Sequence, residues 1–191
     1  MKIGLLGGSF NPVHVGHMMV ANYMAQFAGL DEVWMMLSPQ NPLKDSTTLI
    51  DDRHRLKMLE IAVGADRQSR IKACDVELSL PRPSYTIDTL RYLNRRHPSV
   101  SFSIITGSDN WLGFGRWRES ESILSDYGVI VYPRPGFPIE TPSHPNCRII
   151  NAPMTEISST FLRQALSGGA DMTYFLPPGV YEYIRYYHLY E

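Results

Sequence analysis

The stretch Gly7-Gly8-Ser9-Phe10-Asn11-Pro12-Val13-His14-Val15-Gly16-His17 decides how this chain is read. It follows a short apolar run, Lys2 to Leu6, that reads as a buried strand, and it precedes an apolar helical stretch from about Val15 to Ala28. Strand, glycine-rich loop and helix in that order form the repeating unit of an open parallel sheet, in which ligands bind at the carboxyl ends of the strands. Gly7 and Gly8 let the backbone approach a phosphate with no Cβ in the way and leave N–H groups to point at it. His14 and His17 lie three residues apart, so on a helix starting here they share a face at its positive end, and Gly16 is expected to keep that face open. Two imidazoles at that place can donate hydrogen bonds to charge that builds on a phosphate during transfer. The stretch is neither a dinucleotide fingerprint, lacking GxGxxG, nor a P-loop, lacking GK[ST].

Outward from it, Glu32 to Leu37 gives a second strand, and Asp51 to Val63 a helix that opens on two acids, with Leu56, Leu59, Ile61 and Ala62 on its apolar side. Ile71 to Val76 reads as a third strand and Ser84 to His97 as a third helix, with Ile87, Leu90 and Leu93 recurring every three residues. Ser101 to Thr106, Gly128 to Tyr132 and Arg148 to Ile150 supply further strands, and Trp111 to Ser125 is partly helical. Helices near Ser158 to Leu166 and Pro178 to Tyr187 close the chain. The alternation predicts a doubly wound, mostly parallel α/β sheet, a Rossmann-like arrangement. The loop Pro133 to Pro145, with five prolines, reads as a surface excursion, so residues 1–191 are taken as one domain.

The 191 residues are 43% hydrophobic and carry 18 basic against 19 acidic side chains, a formal net charge of −1. A chain this long buries roughly 70% of the surface its unfolded form exposes, so its core needs no disulfide, and a homo-oligomer is left open. The charge balance argues against a nucleic-acid or membrane-surface partner. Cys74 and Cys147 have no CxxC spacing, and with no signal sequence or membrane span in the reading the cytoplasm is the expected location.

A second constellation is Ile157-Ser158-Ser159-Thr160-Phe161-Leu162-Arg163. Ser158 can cap a helix, leaving the following N–H groups and hydroxyls to hold an anion. Arg163 stands about one turn later, and helical side chains lean toward the N-terminus, so its guanidinium can fold back over that anion.

The two segments together resemble the nucleotidyltransferase superfamily with its HxGH and ISSxxxR signatures. Further landmarks extend the likeness over nearly the whole chain: Gln40-Asn41-Pro42-Leu43-Lys44, Arg53, Ser84-Tyr85-Thr86, Gly107-Ser108-Asp109, Trp117 and Arg134-Pro135-Gly136. They narrow the resemblance to the bacterial nicotinate mononucleotide adenylyltransferases. That resemblance implies transfer of AMP from ATP, with Mg²⁺ carried by the ATP phosphates, to nicotinate mononucleotide. Gly8, Ser9, Phe10, His14 and His17 would then hold the triphosphate, and Ser158, Ser159 and Arg163 the pyrophosphate side. Gly107, Asp109, Arg134 and Ile157 would border the adenosine, and the helices from about residue 157 on would complete the ATP site. Lys44, Tyr85, Thr86 and Trp117 would meet the mononucleotide, although the segment before Lys44 departs from the proline pair and histidine of many relatives. The alternatives are an enzyme of the same scaffold acting on nicotinamide mononucleotide or phosphopantetheine, and a nucleotide sensor without turnover.

Elsewhere, Asp75 and Glu77 read as solvated turn acids, and His54, His97, His144 and His188 as surface residues. The tyrosines at 181, 183, 186, 187 and 190 read as an aromatic tail that packs the last helix or an interface.

Overall fold

The computed structural model describes residues 1–39, 49–139 and 144–191. Its strands are β1 (Lys2–Gly8), β2 (Glu32–Leu37), β3 (Ile71–Cys74), β4 (Ser101–Gly107), β5 (Val129–Tyr132) and β6 (Cys147–Ile149). They pair in the order β3-β2-β1-β4-β5-β6, every neighbouring pair parallel. The helices are α1 (Val15–Phe27), α2 (Asp52–Val63), α3 (Thr86–Arg96), α4 (Ser108–Trp111), α5 (Ser120–Ser122), α6 (Ser159–Ser167) and α7 (Val180–Tyr186). This is the doubly wound sheet expected from the sequence.

Alternation along the central strands divides the core. Leu6 of β1 and Ile105 of β4 belong to one cluster, with α1, α2, α6 and α7 supplying Met24, Leu59, Leu162 and Val180. Ile3 and Leu5, with Phe102 and Ile104, face the other way against Ile87, Leu90 and Leu93 of α3. Each such side chain contributes roughly 1.5–3 kcal/mol by leaving water. The sheet reverses its winding between β1 and β4, so the crevice above their carboxyl ends opens between Gly8 and Gly107.

Several boundaries differ from expectation. Strand β3 stops at Cys74, because Val76–Ser79 turns into a 3-10 helix that buries Glu77; Asp75 is solvated as expected, Glu77 is not. Helix α3 begins at Thr86, with Tyr85 as its cap, and β6 is Cys147–Ile149. The segment 111–125 is broken into the end of α4, a 3-10 turn at Phe114–Arg116, α5 and a π turn at Ile123–Tyr127, with Glu119 left-handed at φ 51°. Helix α7 starts at Val180 because Gly179 caps it at φ 83°, where a Cβ would also stand 2.9 Å from Ile61 Cγ2. On α2 the buried stripe is Arg55, Met58, Leu59 and Ala62, one step round from the expected face. Of the loop 133–145, residues 140–143 lie outside the described residues.

Candidate active site

Gly7 and Gly8 end β1, and the chain then turns through Phe10, whose φ of 43° is left-handed. A Cβ on Gly8 would stand 2.9 Å from the Phe10 ring, so that glycine is needed where loop and ring pass each other. Phe10 is buried and meets His17 edge-on, with ring centroids 5.1 Å apart. Helix α1 is capped by His14, with His17 in its first turn. The two imidazoles stack at 3.7 Å between centroids, 27° from parallel. The His17 Nδ1 accepts the main-chain N–H of His14 at 3.2 Å, which places the ring proton of neutral His17 on Nε2. The space beside Gly16 is not open, contrary to expectation: a Cβ there would meet Thr155 Cγ2 at 2.7 Å and the His14 ring at 3.0 Å. The glycine is what allows His14 to lie flat against the helix. His14 is 3% exposed, and burial, aided by the positive charge of Arg134, lowers its pKa from 6.5 to about 4. It is therefore neutral at physiological pH and able to donate from one ring nitrogen.

The oxygens of the loop 9–12 are held from behind. Arg55, wholly buried on α2, donates to the carbonyls of Ser9 (2.6 Å), Ser38 (2.9 Å), Pro39 (3.1 Å) and Ile50 (3.2 Å) and pairs with Asp52. Ser159 Oγ donates to the Pro12 carbonyl at 2.9 Å, and Arg163 Nη1 to the Asn11 carbonyl at 2.9 Å. Ser158 caps α6 as expected, its hydroxyl accepting from the Phe161 N–H at 3.2 Å. Arg163 does fold back toward the N-terminus of α6, with Nη2 3.3 Å from Thr160 Oγ1. The hydroxyl proton of Ser159 is thus directed to the loop, beside the start of α6.

At the end of β4, Asp109 lies in α4, and a Cβ on Gly107 would clash with Asp109 Oδ1 and stand 2.9 Å from Arg134 Cγ. Arg134 is anchored by its main-chain N–H to Ser108 Oγ at 2.8 Å. Ile157 is half-buried beside the core, its N–H bonded to Thr155 Oγ1 at 3.2 Å. Between β1 and β4 opens a cavity of about 400 Å³, lined among others by Gly8, Ser9, Glu77, Tyr85, Thr86 and Trp117. Trp117 rests against Phe114, with ring centroids 5.4 Å apart. Tyr85 and Thr86 form the first turn of α3, whose leading N–H groups have no intrahelical acceptor. Lys44 lies outside the described residues.

Four residues to which the sequence reading gave no part in the site belong to this architecture. Arg55 is the first; Arg53, the landmark quoted above, is 90% exposed on its own pairing with Asp51. Glu77 is 4% exposed and accepts from Thr89 Oγ1 at 3.0 Å and Ser84 Oγ at 3.2 Å, fixing the entry to α3. Asn11 and Tyr190 meet through Tyr190 Oη and Asn11 Oδ1 at 2.9 Å. A charge inside an otherwise apolar helical stripe was the one available signal, and it applies to Arg55 alone. Of the four histidines read as surface groups, His54 and His144 are half-buried: the Nδ1 of His54 meets the Tyr183 hydroxyl at 2.9 Å, and the Nδ1 of His144 accepts from the Asn146 N–H at 3.1 Å.

A switch-point crevice flanked by a glycine loop, paired histidines and a capped helix with an arginine folded back defines a nucleotidyl-transferring α/β protein, and residues 5–165 match the family described as Cytidylyltransferase-like. Within that class, the chain belongs to the nicotinate-nucleotide adenylyltransferase family. It is 48% identical over 188 residues to a Bacteroides thetaiotaomicron protein named "Probable nicotinate-nucleotide adenylyltransferase", covering 98% of this chain and 92% of the relative. A Flavobacterium johnsoniae protein of the same name is 45% identical over 194 residues, with 100% of each covered. Among solved structures, the Plasmodium falciparum nicotinic acid mononucleotide adenylyltransferase complexed with NaAD superposes with a TM-score of 0.83 at 25% identity, covering 99% of this chain and 97% of that one. No helix among the described residues is long and apolar enough to cross a membrane.

Proposed function

We propose that this protein transfers the adenylyl group of ATP to nicotinate mononucleotide, forming nicotinate adenine dinucleotide and pyrophosphate. The observation behind this reading is that the phosphate loop with its stacked histidines and the cavity beneath Trp117 share one crevice, so a triphosphate on the first side faces an acceptor on the second. An oxygen of the acceptor phosphate attacks the α-phosphorus, the bond to the β-phosphate oxygen breaks, and pyrophosphate leaves with that electron pair. The loop N–H groups of Gly8, Ser9 and Phe10 position the triphosphate. His14, neutral, and His17, protonated at Nε2, donate to the charge that builds on the phosphates. Arg163, with Ser158 and Ser159 at the start of α6, attends the pyrophosphate, so that the segment from about residue 157 completes the ATP site. Gly107, Asp109, Arg134 and Ile157 border the adenosine.

Mg²⁺ bound with ATP would supply charge neutralisation on the phosphates. Among the described residues no group of three or more His, Cys, Asp or Glu is placed to hold a metal ion. On the acceptor side the indole of Trp117 stacks on the pyridine ring, while the N–H groups at Tyr85 and Thr86 receive its carboxylate. The helix dipole favours an anion there by roughly 0.3–1 kcal/mol. A carboxamide turns a donor toward those donors and leaves groups unpaired, at roughly 1–3 kcal/mol. Together these give a preference for the acid of at least about tenfold in kcat/KM. On this reading the reaction takes place in the cytoplasm, the location expected from the sequence.

Pyrophosphate release is the test, with ATP, Mg²⁺ and, in turn, nicotinate mononucleotide, nicotinamide mononucleotide and phosphopantetheine. The acid mononucleotide should be the best acceptor; equal use of acid and amide refutes the role given to α3, and turnover only with phosphopantetheine refutes the substrate.

A further inference from the structure

Asn11 sits at the centre of the phosphate loop, 1% exposed, and two distant parts of the chain meet on it. Its main-chain carbonyl accepts from Arg163 Nη1, and its side-chain Oδ1 accepts from the Tyr190 hydroxyl at 2.9 Å and from the Ile50 N–H at 3.5 Å. Tyr190 packs on the same core cluster as α6 and α7 and holds a left-handed backbone, φ 67°. A residue with a side chain keeps that conformation where its surroundings fix it. Burial pushes the Tyr190 phenol up, while the positive charges of Arg163 and Arg55 act in the opposite sense, so it remains a proton donor across the physiological range.

We propose that Tyr190 is a positioning residue for the ATP phosphates: its hydroxyl fixes the Asn11 side chain and so sets the carbonyl on which Arg163 docks. Tyr190 does not touch the nucleotide; it acts through Asn11 and the guanidinium beside it. This rests on the reading of residues 8–17 and Arg163 as the ATP phosphate site. A tyrosine that merely plugged the core would affect thermal stability and leave ATP affinity alone.

Tyr190→Phe keeps the packed ring and removes the hydroxyl. The measurements are the dissociation constant of a non-hydrolysable ATP analogue by direct titration, kcat and KM for ATP and acceptor, and the melting temperature. They are made on the parent, Tyr190→Phe, Arg163→Lys and the double variant. The expected result is an affinity for the analogue and a kcat/KM for ATP reduced about three- to tenfold, the scale of one lost hydrogen bond, with the acceptor KM within about twofold. In the Arg163→Lys background, loss of the hydroxyl should change either quantity less than about twofold, because the two residues act on one atom group. Unchanged analogue affinity in Tyr190→Phe, or effects that multiply in the double variant, would overturn the proposal. A parent that binds the analogue without adenylylating nicotinate mononucleotide would refute the proposed reaction alone, since the titration still decides the role of Tyr190.

Discussion

The two halves of the crevice are held in different ways. On the phosphate side, the oxygens of Ser9, Asn11 and Pro12 are taken by Arg55, Arg163, Tyr190 and Ser159, across sequence separations of 46, 152, 179 and 147 residues. On the acceptor side, Glu77 reaches Ser84 and Thr89 across 7 and 12, and Trp117 leans on Phe114 in the adjoining turn. The phosphate loop therefore has its geometry only when most of the fold is assembled. The carbonyls of the loop are thereby turned back toward these donors. On the acceptor side the cavity is lined by the turns carrying Glu77, Tyr85 and Trp117 together with residues of β1, β2 and β4.

The largest effect should come from the centre of the braced side. His17→Ala should lower kcat on the order of 10²- to 10³-fold, comparable to the loss of one preorganised donor, with the melting temperature nearly unchanged. Steady-state rates beside a thermal melt check this, and near-normal turnover would remove His17 from the catalytic group. Arg55→Ala tests the bracing itself. It leaves four buried or half-buried carbonyls and Asp52 without their partner, so stability should fall by about 3–5 kcal/mol, read as a shift of the urea midpoint at constant slope. A loss below about 1 kcal/mol would show that the loop stands without this arginine.

The buried His14 gives that side a pH signature. Its pKa is near 4 in the folded chain against 6.5 ordinarily, so the unfolded chain takes up the proton first. Stability should fall as pH drops from about 6.5 to about 4 and lose nothing further through this group below that, a total on the order of 3 kcal/mol. His14→Asn, which retains a capping side chain, should flatten this part of the profile when urea midpoints are compared at pH 7 and 4.5. Parallel profiles for parent and variant would contradict the burial argument. The smallest effect belongs to the acceptor side: Glu77→Gln should raise the acceptor KM about two- to fivefold, the scale of one weakened hydrogen bond, with kcat and the ATP KM held. An equal loss in the ATP KM would mean that the two halves are coupled after all.

The same contrast explains what the sequence revealed. Gly7, Gly8, His14 and His17 are close in the chain and sit where a strand gives way to a helix, so spacing alone located the turn between β1 and α1. The hydrophobic periods of β1, β4 and α3 likewise marked the sheet and its winding. The bracing was invisible because a hydrogen bond between Tyr190 and Asn11 leaves no local pattern. Arg55 is not legible as a core residue because Leu56 and Ile61 suggest an apolar face one step round from the buried stripe of Arg55, Met58, Leu59 and Ala62. Glu77 was taken for solvated because a four-residue 3-10 turn has too short a period to show which side faces inward. The hydrogen bond from Ser159 to the Pro12 carbonyl is likewise a contact that only the closed fold provides, with no local pattern to announce it.

The central claim is that phosphates positioned by a braced loop react directly, with no covalent enzyme intermediate. Among the described residues assigned to the site, no serine stands beside a base as an activated nucleophile: Ser158 caps α6 and Ser159 donates to the Pro12 carbonyl. The most direct measurement is the stereochemical course at the α-phosphorus, using ATP made chiral there and nicotinate mononucleotide as acceptor. Direct transfer predicts inversion of configuration in the dinucleotide; net retention, or an adenylylated protein isolated when the acceptor is withheld, would contradict it.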